Sequence, residues 1–206
     1  MFSYIGRYPS VRQIPSMARQ QHGFDFENTL IAKHSWTKSK NHTDEFDAYT
    51  KKNVPVQIKT VKAGSEIDFG DVFRNAEKKH DFILVVAFWK GAKTNITDQI
   101  ALRINADIWR PLFSFTDPNT RRALKEEMNL ISNMRVDDGR WKHFMTTYKK
   151  TWTDTVLPGG GPPQRVVELR FKRDHKKQKR LQCAIKLSNW RNYFLNVFPS
   201  VELADI

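Results

Sequence analysis

Four side chains in the first third of this sequence have the types and spacing to hold a hard cation and aim a water molecule. Asp47 lies in "DEFDAYT", just before a polar turn. Gln57 and Lys59 lie beyond that turn in "VPVQIKTVK", two residues apart. In an extended strand that spacing puts both on one face, opposite Val56 and Ile58, which take the core. Glu27 belongs to a helical pattern in which Phe24, Leu30 and Ile31 share its side. A carboxylate within an apolar face is costly to bury without a partner, such as a metal ion or a lysine. At the edge of the stripe it needs none.

Phosphodiester hydrolysis gives the set a common purpose. Mg2+ or Mn2+ takes oxygen ligands, typically one or two carboxylates completed by water and phosphate oxygens. Asp47 would supply the main carboxylate. The Gln57 amide oxygen, the Ile58 backbone carbonyl and water would complete the shell. Lys59 would stand beside the attacking water, orient it and balance charge on the phosphorane. Glu27 would bind through water or hold a second ion. Taken singly, each residue also fits a solvated strand end or a wet sheet face; the joint pattern carries the reading.

The elements that must position these residues follow from periodicity. A helix is expected over about 17–35, strands over 44–50 and 54–62, and a "KKN" turn between them. "DFGDVFRNAEKKH" (68–80) reads as a helix capped by Asp68 or Asp71. "DFILVVAFW" (81–89) is the most apolar run and reads as a central strand buried on both faces. A strand over 98–104 leads to a short helix capped by Asn105, and Asp117 with Pro118 starts a longer helix to about 134. Residues 135–164 carry Trp141, Trp152 and the connector "PGGGPPQ" and show no clear period. A hairpin follows with a basic tip, "KRDHKKQKR", and then a closing helix started by Ser188 or Asn189.

Helix Glu, "FDAY", "VQIKT", a helix and the buried strand "FILVVAFW" together resemble the PD-(D/E)XK nuclease superfamily, type II restriction endonucleases in particular. The resemblance spans about residues 20–112. It maps the family's Asp to Asp47, its acidic-x-Lys element to Gln57 and Lys59, and its helix Glu to Glu27. Two departures stand out: Phe46 precedes Asp47 where the family has Pro, and Gln57 stands where Asp or Glu is usual. An amide ligates through oxygen but brings no charge. The fold implied is α/β, a mixed central β-sheet flanked by helices, here with a C-terminal β-hairpin and helix. The activity implied is Mg2+-dependent cleavage of double-stranded DNA by a homodimer with one site per strand, sequence-specific as in restriction. The alternatives are a structure-specific repair or resolvase-type endonuclease and a catalytically silent, basic nucleic-acid-binding protein.

Charge points the same way. The chain carries 35 Lys and Arg against 22 Asp and Glu, a net +13, so a polyanion is the default partner. The basic residues do not line one amphipathic helix, which favours nucleic acid over a membrane surface. Lys38, Lys40, Lys51, Lys52 and Lys62 surround the candidate site. Arg173, Lys176, Lys177, Lys179 and Arg180 form the hairpin tip, a ribbon suited to phosphates. Gln178 and Gln182 are candidates for base contact, and Trp36, Trp141 and Trp152 for stacking, although core packing is the default for tryptophan. The one cysteine, Cys183, sits in an apolar strand pattern and reads as a core residue in a reducing compartment. The histidines lack paired metal spacing, and no glycine-rich loop resembles a nucleotide cradle. With neither an apolar span nor a leader-like segment, a single cytoplasmic, nucleoid-associated domain over 1–206 is expected. Its catalytic core would cover about 17–134 and its recognition region about 135–206, with no membrane partner and no small-molecule cofactor.

Overall fold

A computed structural model describes residues 17–41, 44–91, 95–113, 118–132, 166–173 and 179–203, with a few isolated positions between 139 and 146. In chain order the elements are α1 (Met17–His34), β1 (Thr37–Lys38), β2 (Ala48–Tyr49), β3 (Pro55–Lys62), β4 (Ile67–Asp71), α2 (Val72–Ala76), β5 (Phe82–Trp89), β6 (Ile96–Ile104), α3 (Ala106–Phe113), α4 (Pro118–Ser132), β7 (Val167–Arg173) and β8 (Lys179–Ile185). The helical turns Leu187–Asn189 and Leu195–Val197, on either side of the π-helical turn Trp190–Phe194, close the chain as α5. The protein is mixed α/β, with a mixed central sheet flanked by helices, as the sequence implies. No described helix is long and apolar enough to cross a membrane.

The central sheet runs β1-β2-β3-β5-β6. The β3–β5 pair is parallel and the others are antiparallel. Strand β5 is buried along nearly its whole length, which its unbroken apolar run requires, because both faces are covered. One face carries α1: Leu30 and Ile31 pack with Ala48, Val56, Ile58, Ile83 and Val85. The other holds the larger core, where Trp109 stands edge-on to Phe69 and Phe82 at ring-centre distances of 5.2 and 5.3 Å. Helix α3 reaches this core from a cap formed as expected, with Asn105 Oδ1 accepting from Asp107 N–H at 2.8 Å.

A second sheet, β4-β8-β7, lies against the same core. It corrects the helix expected over 68–80: only Val72–Ala76 is helical, and the preceding residues form β4. Ile67 and Phe69 are buried at period two, and β8 supplies the backbone partners that a local reading lacks. Gly70, at φ +77°, marks the irregularity in register between Asp68 and Gly70. Asp71 is the helix cap, accepting from Arg74 N–H at 2.9 Å. Strand β2 is also shorter than expected, because residues 44–47 bend. The closing helix begins after Lys186 with no side-chain cap, rather than from Ser188 or Asn189.

The region after 135 does not form a separate lobe among the described residues. Val166, Leu181, Ile185, Trp190 and Phe194 belong to the same core as Phe46 and Phe82. Cys183 is fully buried there, as its sequence context indicates, and burial pushes its thiol well above the usual range.

Candidate functional site

The turn between β2 and β3 fixes the geometry. Thr50 N–H donates to Val54 C=O, Val54 N–H donates to Thr50 Oγ1, and Asn53 takes the left-handed conformation at φ 59°. Asparagine tolerates that conformation better than most residues, so the turn sets the register Ala48 against Val56. Asp47 N–H continues the ladder to Val56 C=O at 2.9 Å. Asp47 therefore falls beside Gln57 and Ile58, as the hairpin reading requires.

The contacts are short and specific. Gln57 Nε2 donates to Asp47 Oδ2 at 2.5 Å, and Ile58 N–H donates to the same oxygen at 2.6 Å. One carboxylate oxygen is thus held by two donors. Because the N–H and C=O of a strand residue point to the same side, the Ile58 carbonyl also faces the β2 edge, toward Asp47. Lys59, like Asp47 and Gln57, is half-buried, and it shares the strand face of Gln57.

A residue absent from the sequence reading completes the arrangement. Lys78, in the link between α2 and β5, is only 1% exposed. Its ammonium donates to the Glu45 carbonyl at 2.9 Å and to Gln57 Oε1 at 3.3 Å. It lies 3.9 Å from the ring centre of Phe46 and 4.9 Å from that of Phe82, within cation–π range. Burial draws its pKa down to about 8; the charges of Glu45 and Asp47 oppose the shift, while Lys59 and Arg74 reinforce it. These interactions place Lys78 close to both Asp47 and Lys59. Its motif "EKKH" looks like a solvated charge run, and only the tertiary enclosure by Phe46 and Phe82 distinguishes it from its neighbours.

The neighbours also fix the sense of the Gln57 amide. Lys78 can only donate and an ionised Asp47 can only accept, so Oε1 faces the lysine and Nε2 the aspartate. In this arrangement Gln57 holds Asp47, and its oxygen is engaged by Lys78. Phe46 forms a wall of the lysine pocket.

Glu27 is placed elsewhere. Its carboxylate pairs with Lys38 Nζ at 3.1 Å, and Lys38 also donates to Asn28 Oδ1 at 2.6 Å. Lys38 lies opposite Ala48, so the pair stands near the site. Among the described residues, however, no hydrogen bond or ion pair joins Glu27 to Asp47, Gln57 or Lys59. Helix α1 packs on the Val56 and Ile58 face of β3, opposite the Gln57 face. Lys38, although exposed, is thereby engaged with Glu27 and Asn28, and Lys40, Lys51, Lys52 and Lys62 are exposed as well.

At the far hairpin, Arg173 pairs with Lys179 across β7 and β8, and Arg180 pairs with Lys172. Lys176, Lys177 and Gln178 lie outside the described residues, as do Trp141 and Trp152. Gln182 is half-buried, with Oε1 enclosed in the protein, and Trp36 is a core residue stacked on His34. An open groove lined by Glu45, Arg74, Glu77, Lys79 and His80 lies on the side of Lys78, and Asp47, Gln57 and Lys59 are not among its lining residues.

Among the described residues, no three His, Cys, Asp or Glu side chains gather as a metal-binding group. With Asp47 and the Ile58 carbonyl as its protein ligands, a divalent cation at this point would have to be held mainly by water and phosphate. Compared with known proteins, the sequence matches no family model, and no curated protein matches it.

Proposed function

We propose that the protein is a metal-dependent endonuclease that hydrolyses phosphodiester bonds in double-stranded DNA at the β2–β3 junction. The observation that carries this reading is the Asp47 carboxylate, held by Gln57 and Ile58 on the strand that also carries Lys59. The net charge of +13 supports a polyanionic substrate. Mg2+ or Mn2+ held by Asp47 and the Ile58 carbonyl would supply Lewis-acid charge stabilisation and a more acidic water. Asp47 presents a carboxylate whose orientation is fixed by two donors before substrate arrives. Lys59 brings a positive charge to the same edge, where it orients the attacking water and balances phosphorane charge. The exposed Lys40, Lys51, Lys52 and Lys62 make phosphate contacts. Cleavage is sequence-specific in this proposal, performed by a homodimer with one site per strand.

One observation favours a second reading, a silent DNA-binding protein. Lys78 engages the Gln57 oxygen, so the family's second anionic ligand has no counterpart at this position. Incubating plasmid DNA with and without Mg2+, EDTA and the Lys59→Ala variant separates the two. Discrete fragments that require Mg2+ and Lys59 support the endonuclease. Salt-sensitive binding with no cleavage under any divalent ion moves the assignment to the binding protein. Cleavage confined to branched duplexes identifies the resolvase-type alternative.

A further inference from the structure

We propose that Lys78 is the positioning residue of this site: acting through Gln57, it holds the Asp47 carboxylate in place and keeps the Gln57 oxygen from any cation bound there. The positioning half stands on the metal-free geometry; the half concerning a cation rests on the proposed endonuclease reading.

The chain of contacts is Lys78 Nζ to Gln57 Oε1 at 3.3 Å, then Gln57 Nε2 to Asp47 Oδ2 at 2.5 Å. Such a bridge needs one side chain that accepts at one end and donates at the other, and a primary amide does both. A carboxylate at 57 would accept from Lys78 but meet Asp47 as a like charge at hydrogen-bond distance. Turning the amide over would set its NH2 group against the ammonium and its oxygen against the carboxylate, losing both bonds. The lysine cannot readily withdraw. Phe46 and Phe82 line its pocket, and the Glu45 carbonyl holds it from the chain segment that carries Asp47. Gln57 therefore need not be a carboxylate ligand with its charge removed. It is the side chain that a buried lysine and an aspartate on either side require, and Lys78 is a tethered cation that already balances the site.

Side-chain NMR of the 15N-labelled full chain, without metal, tests the positioning directly. Gln57→Glu identifies the signal by removing it. In the wild type, one Gln57 amide proton is expected downfield and exchanging at least about tenfold more slowly than those of exposed glutamines, since it is held by a charged acceptor. In Lys78→Met the signal should move and that protection should fall. Wild-type protons exchanging like those of exposed glutamines overturn the proposal without any variant, should Lys78→Met not fold. A Gln57 signal unchanged in a folded Lys78→Met overturns it equally.

Mn2+ titration addresses the second half. In Gln57→Glu the new carboxylate stays with Lys78, so affinity should rise only slightly. In Gln57→Glu/Lys78→Met the freed carboxylate should raise affinity by about tenfold or more over that single variant, the equivalent of one charge-assisted bond. Equal gains in the two variants overturn the claim that Lys78 withholds the group at 57. If no variant binds Mn2+ while the amide behaves as expected, the positioning role stands and the metal-dependent reading fails.

Discussion

Replacing Lys78 by methionine should change how stability depends on pH, in a direction opposite to that expected for a surface lysine. The Lys78 pKa is drawn from 10.5 to about 8, chiefly by burial. Below pH 8, folded and unfolded chains both carry the proton, and the folded state bears the whole cost of the enclosed charge. Between pH 8 and 10.5 the folded chain releases the proton while the unfolded chain keeps it. The unfolded state then binds more protons, so stability rises with pH. Above 10.5 neither holds it and the cost is gone. At about 1.4 kcal/mol per pH unit, the separation of the two values amounts to roughly 3 kcal/mol, a large share of the 5–15 kcal/mol typical of a domain. Urea unfolding of wild type and Lys78→Met, at half-unit steps from pH 7 to 10.5, measures it. The wild type should gain roughly 3 kcal/mol relative to the variant across that window. Titrating groups remote from Lys78 contribute alike to both curves and leave the difference intact. Parallel curves would refute the reasoning, because they would mean that Lys78 keeps an ordinary pKa and is not enclosed as described.

Two further variants probe the surrounding fold. The Cys183 thiol, raised well above 9.0 by burial, keeps its proton in the folded state after the unfolded chain has lost it, so it lowers stability as pH rises past 9. Cys183→Ala should abolish that loss in the same urea series. At Gly70, φ is +77° and a side chain would meet no atom within 4 Å, so the cost of Gly70→Ala is purely conformational. It should be about 1–2 kcal/mol, seen as a fall in Tm of roughly 2–8 °C for a chain of this size.

The elements that the sequence made legible owe their form to local pattern. Strand β5 is apolar at every position, β3 alternates, and Asn105 caps α3 with its own side chain. Asp47 and Gln57 were legible as neighbours because a short turn carrying Asn53 sets the register between them. Strand β4 was not, because its hydrogen-bond partners lie in β8, far along the chain, and the cap-forming Asp71 gives "DFGD" a helix-start signature. Lys78 was hidden for a related reason. Nothing in "EKKH" separates a buried lysine from a solvated one, and the enclosure is built by Phe46 and Phe82, which meet at 5.4 Å only in the folded chain. Glu27 was read as a carboxylate that binds a metal ion directly or through water, whereas in the fold its partner is Lys38, supplied by the strand that follows α1.

The central position of β8 in its sheet bears on how the chain reaches its native state during synthesis. Ile67 pairs with Ile185, so β4 cannot complete its backbone bonds until β8 has left the ribosome. Closing so long a loop costs entropy, although that cost grows only slowly with length. Until it closes, β4 presents a bare edge bearing Ile67 and Phe69, a template for pairing with another copy. The nascent protein therefore passes through an adhesive stage until β8 docks and covers that side of β4, and any truncation that removes β8 leaves that side bare.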